Sequence, residues 1–484
     1  MLLGGALLAA HWCGGQSLPE LSLEDVLLLG SEGNYAVQDA QMARRAAEAG
    51  RLVARGAFDW RVRAAAAAEL SAPFTEASPS AGGRILIQAY EFGLVRNLPA
   101  GLQIEPFVRA VTFPRTAGAG TGTSAQGGMS LRIPLTQVGR SHPSTAQFRA
   151  ASRHARAGSY RYLHTLSNQL REVALAYWDA VEARLRVEIM VAAEARAREI
   201  VAIVDRLAAA GERPWADVRQ VEAYLADRVT ARIAMEHQRV LARERLVVLL
   251  GKNGDHAAER AVRPWLPTPP PEVGNGYPGE GSGTALDQRW DLLAVAEERD
   301  AALILLSGAR IAARNQLDLE LGASRTLGGE LAAAGPGASM FSVSLTLGQP
   351  YPNRAAVGLI AQRQAALHQQ QVRLRALRRE SEAAVRVADD AVRSAVLETA
   401  STLLAKTAHE RSVEQERLRL SNGFATVLDV TVAEERMTNA LLADLTARAR
   451  FARALTLHAH ERGDLVRAEL EPPGERAARI LARR

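Results

Sequence analysis

Two acidic residues stand out because of what surrounds them. Asp429 lies in Gly423-Phe424-Ala425-Thr426-Val427-Leu428-Asp429-Val430, and Asp217 lies in Gly211-Glu212-Arg213-Pro214-Trp215-Ala216-Asp217-Val218. A long helical pattern enters each stretch and another leaves it. Glycine suits a chain reversal because it accepts φ > 0 at no steric cost. Thr426 and Asp429 have capping-box spacing, with Asp where Glu is usual. Each stretch therefore reads as the tip of a helical hairpin. A carboxylate at such a tip has two uses. The dipole of the outgoing helix favours it there in any case. Carboxylates gathered around a narrow entrance would also select cations.

Other chemistry is poorly supported. The ten histidines show no metal-ligand spacing. His458 and His460 are two apart on a helix and read as surface residues. No Ser–His–Asp or Cys–His arrangement can be argued. Cys13 is the only cysteine, so no disulfide forms within one chain and no Cys-based metal site exists. The run Gly118-Ala119-Gly120-Thr121-Gly122 matches no phosphate cradle. Neither an enzyme nor a cofactor is predicted.

The elements that position the tips follow from periodicity. With 484 residues the chain is long enough for two or more domains, and its net charge is +6, nearly all Arg, since Lys252 and Lys406 are the only lysines. Dispersed charge of this kind suits solvated helix faces and not nucleic-acid binding. No apolar run reaches the ~18 residues a transmembrane helix needs. Transmembrane strands stay open, because their signal is only alternation over about ten residues. Residues 1–17, apolar and then small, predict an export signal without the usual basic start; Trp12 before Cys13 argues against acylation.

In order, a helix is predicted over 22–56, capped by Ser22 and ended by Gly56. Strands are predicted within 60–136, a region long enough for an extra hairpin, with 116–128 as a Gly/Thr/Ser loop. A long helix follows over 143–210, with Leu163, Leu166, Leu170, Val173, Tyr177 and Val181 on a coiled-coil seam. Then come the tip at 211–217, a helix over 214–250 and a Pro/Gly-rich linker over 252–286. The second half repeats the order: helix 287–314, strands within 316–348, long helix 354–421, tip 422–429, helix 424–462. A loosely held tail runs over 464–484. One offset of 212 residues carries Gly211, Asp217, Val218, Glu222 and Gly251 onto Gly423, Asp429, Val430, Glu434 and Gly463. The chain thus reads as two tandem repeats, 18–251 and 287–463.

Each long helix would extend about 100 Å. Its Ala- and Leu-rich seam cannot be covered by one chain's four rods, so several chains should lie side by side. Four or six strands cannot close a barrel either, and lipid tolerates no open edge. Oligomerisation answers both needs.

At this point the chain resembles the TolC-like outer-membrane efflux protein family. The residues that carry the resemblance are both tips, the segments Arg289-Trp290-Asp291 and Gln316-Leu317-Asp318-Leu319-Glu320-Leu321, and the strand from Gly128 to Leu135, all in paired order. The resemblance implies a homotrimer, mainly α with β, whose strands form one outer-membrane β-barrel above a periplasmic α-helical barrel. It implies a passive conduit in a tripartite efflux or type I secretion system, partnered by a periplasmic adaptor and an inner-membrane transporter. The adaptor-docking tips would be Gly211, Pro214, Val218, Gly423, Thr426, Val427, Leu428 and Val430, with Asp217 and Asp429 at the pore entrance. A soluble periplasmic coiled-coil adaptor or scaffold is the alternative; adaptors usually carry one hairpin, and this chain has two.

Overall fold

The computed structural model describes residues 20–71, 85–114, 121–258, 260–269, 289–329 and 337–466. The expected export signal, most of the linker after 269 and the tail after 466 lie outside these residues. The helices are α1 (Leu23–Gly33), α2 (Tyr35–Arg55), α3 (Pro143–Ala209), α4 (Trp215–Leu250), the short α5 (Gly254–Ala258), α6 (Trp290–Ala312), α7 (Arg354–Ser421) and α8 (Val427–Glu461). The strands are β1 (Arg61–Ser71), β2 (Ile85–Asn97), β3 (Gln103–Pro114), β4 (Thr121–Pro134), β5 (Gln316–Gly329) and β6 (Ser339–Gly348). No helix among the described residues is long and apolar enough to cross a membrane. Two compact units form, and each draws on both halves of the sequence: Met1–Met42, Arg161–Leu292 and Leu377–Arg484 make one, Ala43–Tyr160 and Leu293–Ala376 the other.

The first unit is helical. The seam predicted on α3 is its core: Leu166, Leu170, Val173, Tyr177 and Val181 are buried and Leu163 packs against them. Trp178 is buried edge-on to Tyr177, and its indole Nε1 donates to the Thr456 hydroxyl at 3.0 Å, so the polar atom of a large core side chain is satisfied. The helix predicted over 22–56 is in fact two. Asn34 leaves the helical region (φ −73°, ψ 133°) between them. Its Oδ1 accepts from the Ala36 N–H at 2.7 Å and its Nδ2 donates to the Leu249 carbonyl at 2.7 Å. A buried Asn that bonds the backbone on both sides outweighs the continuous helical pattern. The break lies against the end of α4. A Cβ on Gly33 would meet the Leu250 carbonyl oxygen at 2.4 Å, and one on Gly251 (φ 58°) would meet the Gly33 carbonyl oxygen at 2.5 Å. Two glycines thus permit the close crossing. Lys252 is exposed beside it. Lys406 is half-buried and paired with Asp444 at 3.7 Å.

The second unit holds a single six-stranded sheet in the order β1-β2-β3-β4-β5-β6, antiparallel throughout. Of the loop expected over 116–128, residues 121–128 belong to β4, and 116–120 lie outside the described residues. Few of the side chains over 121–128 favour strands, but β3 pairs with all of these residues and β5 with residues 124–128, and this pairing decides the conformation. Gly128 stands opposite Phe107, and a Cβ there would meet the Phe107 ring at 3.0 Å and the Ala323 carbonyl oxygen at 2.6 Å. Pro134 is the last residue of its strand, as a residue without an N–H should be. Beside the sheet, Phe58 packs edge-on to Phe148, and Arg153 pairs with Glu297 at 3.1 Å.

Candidate docking tips and the two faces of the sheet

In the helical unit the incoming helices stop in the same way. At the second tip the Phe424 N–H donates to the Arg419 carbonyl at 2.8 Å and the Gly423 N–H to the Leu420 carbonyl at 3.1 Å. At the first tip the Glu212 N–H donates to Leu207 at 2.9 Å and the Gly211 N–H to Ala208 at 3.0 Å. Both are Schellman closures around a left-handed glycine, with φ 78° at Gly423 and 73° at Gly211.

The outgoing helices start differently. Thr426 and Asp429 form the predicted capping box: the Asp429 N–H donates to the Thr426 hydroxyl oxygen at 3.2 Å, and the Thr426 N–H and hydroxyl donate to Asp429 Oδ2 at 2.9 and 2.7 Å. These bonds hold the Asp429 carboxyl below its ordinary pKa, the Thr426 hydroxyl contributing most. Pro214, in contrast, is the N-cap of α4 with no side-chain cap. Asp217 instead lies 3.8 Å from the Arg213 guanidinium. That arginine also donates to the Ala425 carbonyl at 2.6 Å, tying one tip to the other.

The tips share a small core of Ile200, Val204, Ala208, Val218, Val221, Leu420, Ala425, Val427 and Val430. Val218, Val427 and Val430, expected among the docking residues, are therefore buried between the two reversals and present nothing outward. Apolar residues at i and i+3 of a first helical turn go to the neighbouring hairpin when one is available. Gly211, Pro214, Gly423, Thr426, Leu428 and Asp429 are exposed, and Asp217 is half-buried. Two large apolar side chains of the tips that were not among the expected docking residues join them: Phe424 is 77% exposed and Trp215 63%. Each follows a reversal signal directly, which was the available clue.

Below the second tip Glu434 is buried and accepts from Arg196 Nε at 2.9 Å and Arg417 Nε at 2.7 Å. Its counterpart on α4, Glu222, is exposed and pairs with Arg219 at 2.9 Å. The surface reading of His458 and His460 is corrected too: both are buried. His458 Nε2 lies 2.9 Å from Asp389 and His460 Nε2 lies 2.8 Å from Asn168 Oδ1. α8 is covered on several sides, so positions two apart are both enclosed. Nearby, Arg289 bonds Glu461 at 2.6 Å and Asp291 at 2.8 Å, and also caps the Glu461 carbonyl at 2.9 Å. Burial alone would raise the Glu461 pKa, but its bonds from His460 and Arg289 bring it down to about 2. Burial likewise opposes ionisation of Asp291, and Arg289 again overcomes it and lowers the pKa. No group of three or more His, Cys, Asp or Glu that could hold a metal occurs among the described residues.

In the other unit, strand register sorts the sheet into two faces. One carries Val62, Tyr90, Phe92, Val108, Met129, Leu321, Phe341, Val343, Leu345 and Leu347, all exposed although large and apolar. The other is polar and cross-linked between strands. Arg109 pairs with Glu91 at 2.6 Å, Arg63 with Glu105 at 3.4 Å and Glu91 at 3.7 Å, and Arg132 with Glu320 at 3.8 Å. A continuous apolar face this large is intolerable in water and suits a lipid boundary.

Long helical hairpins joined in sequence to one antiparallel sheet with one apolar and one polar face define the fold. The comparisons with known proteins agree. Residues 106–252 match the family model described as outer membrane efflux protein. The chain is similar to the outer-membrane channel OprN (17% identity, 91% of this chain and 89% of that one, TM-score 0.67). It is similar also to the Campylobacter jejuni CmeC outer membrane channel (15%, 96% and 93%, 0.65). A third similar structure is the outer membrane protein VceC of Vibrio cholerae (17%, 91% and 96%, 0.65). No curated protein sequence matches the chain. In fold across its length, and in sequence over residues 106–252, the chain resembles the TolC-like outer-membrane efflux proteins.

Proposed function

We propose that the protein is the outer-membrane channel component of a tripartite efflux or type I secretion system, acting as a homotrimeric passive conduit across the outer membrane and periplasm. The observation that carries this reading is the sheet with one exposed apolar face and one polar face. A soluble adaptor or scaffold would leave that apolar face in water. The helical hairpins fit the periplasmic part, and their tips are the docking points for a periplasmic adaptor that joins the channel to an inner-membrane transporter. Phe424, Leu428 and Trp215 supply the large exposed side chains that anchor such contacts. Gly211, Pro214, Gly423 and Thr426 shape the surface around them. Three Asp429 carboxylates, with Asp217 beside them, would ring the entrance and favour cations there.

Membrane fractionation and native mass spectrometry test the reading. The protein should partition with outer membranes and leave detergent as a homotrimer. A stable monomer, soluble without detergent, overturns it.

A further inference from the structure

The sheet does not treat the two halves of the chain alike. In the second half α6 passes to β5 through residues 313–315. In the first half the same passage, from α2 to β3, takes residues 56–102 and holds β1 and β2. At the 212-residue offset the starts of β5 and β6 fall within β3 and β4, so these strands correspond and the β1–β2 hairpin is an addition. The addition is paired into the sheet: β2 pairs with β3 from Gln88–Thr112 to Gly93–Phe107 and again at Arg96–Ile104 and Asn97–Gln103, and Arg63 and Arg109 both reach Glu91. It therefore moves the edge of the sheet from β3 to β1, with β6 at the other edge.

Among the described residues neither edge strand has a strand partner on its outer side, and a sheet with a lipid-facing side cannot leave those N–H and C=O groups unmet. An even number of alternating strands makes β6 run opposite to β1, so identical copies can join β6 to β1 as an antiparallel pair. The side chains at the two edges are complementary in size. On the apolar face β1 offers Ala64, Ala66 and Ala68, and the first two line a shallow groove with Tyr90 and Phe92 of β2. On the same face β6 offers Phe341 and Val343, 81% and 73% exposed.

We propose that the added β1–β2 hairpin is the receiving edge for β6 of a neighbouring copy, so that three copies close an eighteen-stranded barrel. The alternative is a twelve-stranded barrel made of β3 to β6 alone. This inference rests on the trimeric channel reading and deepens it. A barrel of 16–18 strands keeps an aqueous lumen. Its wall here carries paired charges of both signs, so the membrane passage is wide and weakly selective, and sorting of cargo falls to other parts of the assembly.

Cysteine pairs on the polar face test the seam. In a C13S background, A65C or A67C is combined in turn with S342C, S344C or T346C, because the stagger of the barrel decides which rung meets which. V111C, on the polar face of β3, is combined with the same three. Oxidised membranes are denatured and run without reductant, and trimer content is measured separately by native mass spectrometry. The expected result is disulfide-linked dimers and trimers for at least one β1–β6 pair and none for any pair with V111C. Linkage through V111C, or an intact trimer with no β1–β6 linkage, overturns the seam and leaves the channel reading standing. A detergent-independent monomer overturns both.

Discussion

At Gly211 and at Gly423 the incoming helix stops with the same two backbone hydrogen bonds, yet the outgoing helices start under different rules. The second hairpin has a complete capping box at Thr426 and Asp429, a buried Glu434 held by two arginines, and a Schellman closure at Gly463 (φ 73°). The first has an uncapped Pro214, an exposed Glu222 and a differently folded end at Gly251. A duplicated hairpin thus keeps the stop that only glycine supplies and lets the start diverge. The second hairpin is held by side chains, the first by its neighbour through Arg213 and by backbone preset at Pro214.

The largest test of this contrast is at the paired glutamates. Glu434→Ala leaves Arg196 and Arg417 without their buried partner and should cost roughly 3–5 kcal/mol. Glu222→Ala should stay within about 0.5 kcal/mol, since an exposed pair contributes little. Denaturant unfolding of the detergent-solubilised protein measures both, and equal losses would break the comparison.

Next come the glycines, where the hairpins should behave alike. Nothing lies within 4 Å of a Cβ built on either Gly211 or Gly423, so valine there meets backbone strain alone. That strain is about 1–2 kcal/mol at each. Their effect on transport should differ: Gly423→Val displaces Phe424 and Leu428 together and should abolish export of a dye substrate while the trimer still inserts. Unchanged export in the Gly423→Val protein would remove the second tip as a docking point.

The starts should separate again on a smaller scale. Thr426→Ala loses its side-chain cap and should cost about 1 kcal/mol. Pro214→Ala removes no side-chain hydrogen bond and should change stability much less. Comparable unfolding midpoints for the two variants would show that the capping box contributes little.

The closing end of the second hairpin should respond to acid. Glu461 has a folded pKa near 2, below its unfolded value of about 4.3. A depressed carboxyl contributes stability that is present above the unfolded pKa and is lost as pH falls toward 2. Glu461→Gln should therefore flatten the stability–pH curve across that window, and an unchanged slope would assign the acid sensitivity elsewhere. The smallest expected effect is at the entrance. Asp429→Asn should weaken block by trivalent cations in planar bilayers, and Asp217→Asn less so, because Arg213 already offsets its charge. Equal block in wild type and Asp429→Asn trimers would leave the carboxylate with capping alone.

Periodicity carried much of the fold. The α3 seam, the two reversals and the alternation of β6 were legible because each is a repeating choice along many residues. What escaped depended on one residue or on neighbours far away in sequence. Asn34 breaks a helical pattern through a bond to Leu249. Residues 121–128 become a strand because β3 pairs along all of them and β5 along 124–128. Val218, Val427 and Val430 are apolar at a reversal, and no local signal says whether they face a partner or the adjoining hairpin. Phe424 and Trp215 carry the opposite lesson, since their exposure shows only once the valines have taken the shared core.

The near-absence of lysine has a practical side. Arginine supplies almost every positive charge, and its guanidinium is inert to amine-directed reagents. Of the two primary side-chain amines, Lys406 is half-buried against Asp444, whereas Lys252 stands in solvent beside the Gly33–Gly251 crossing. A succinimidyl fluorophore applied to the native protein should mark residue 252 first, apart from the chain's amino terminus, giving a reporter at the junction of α1, α2 and α4 without an engineered residue.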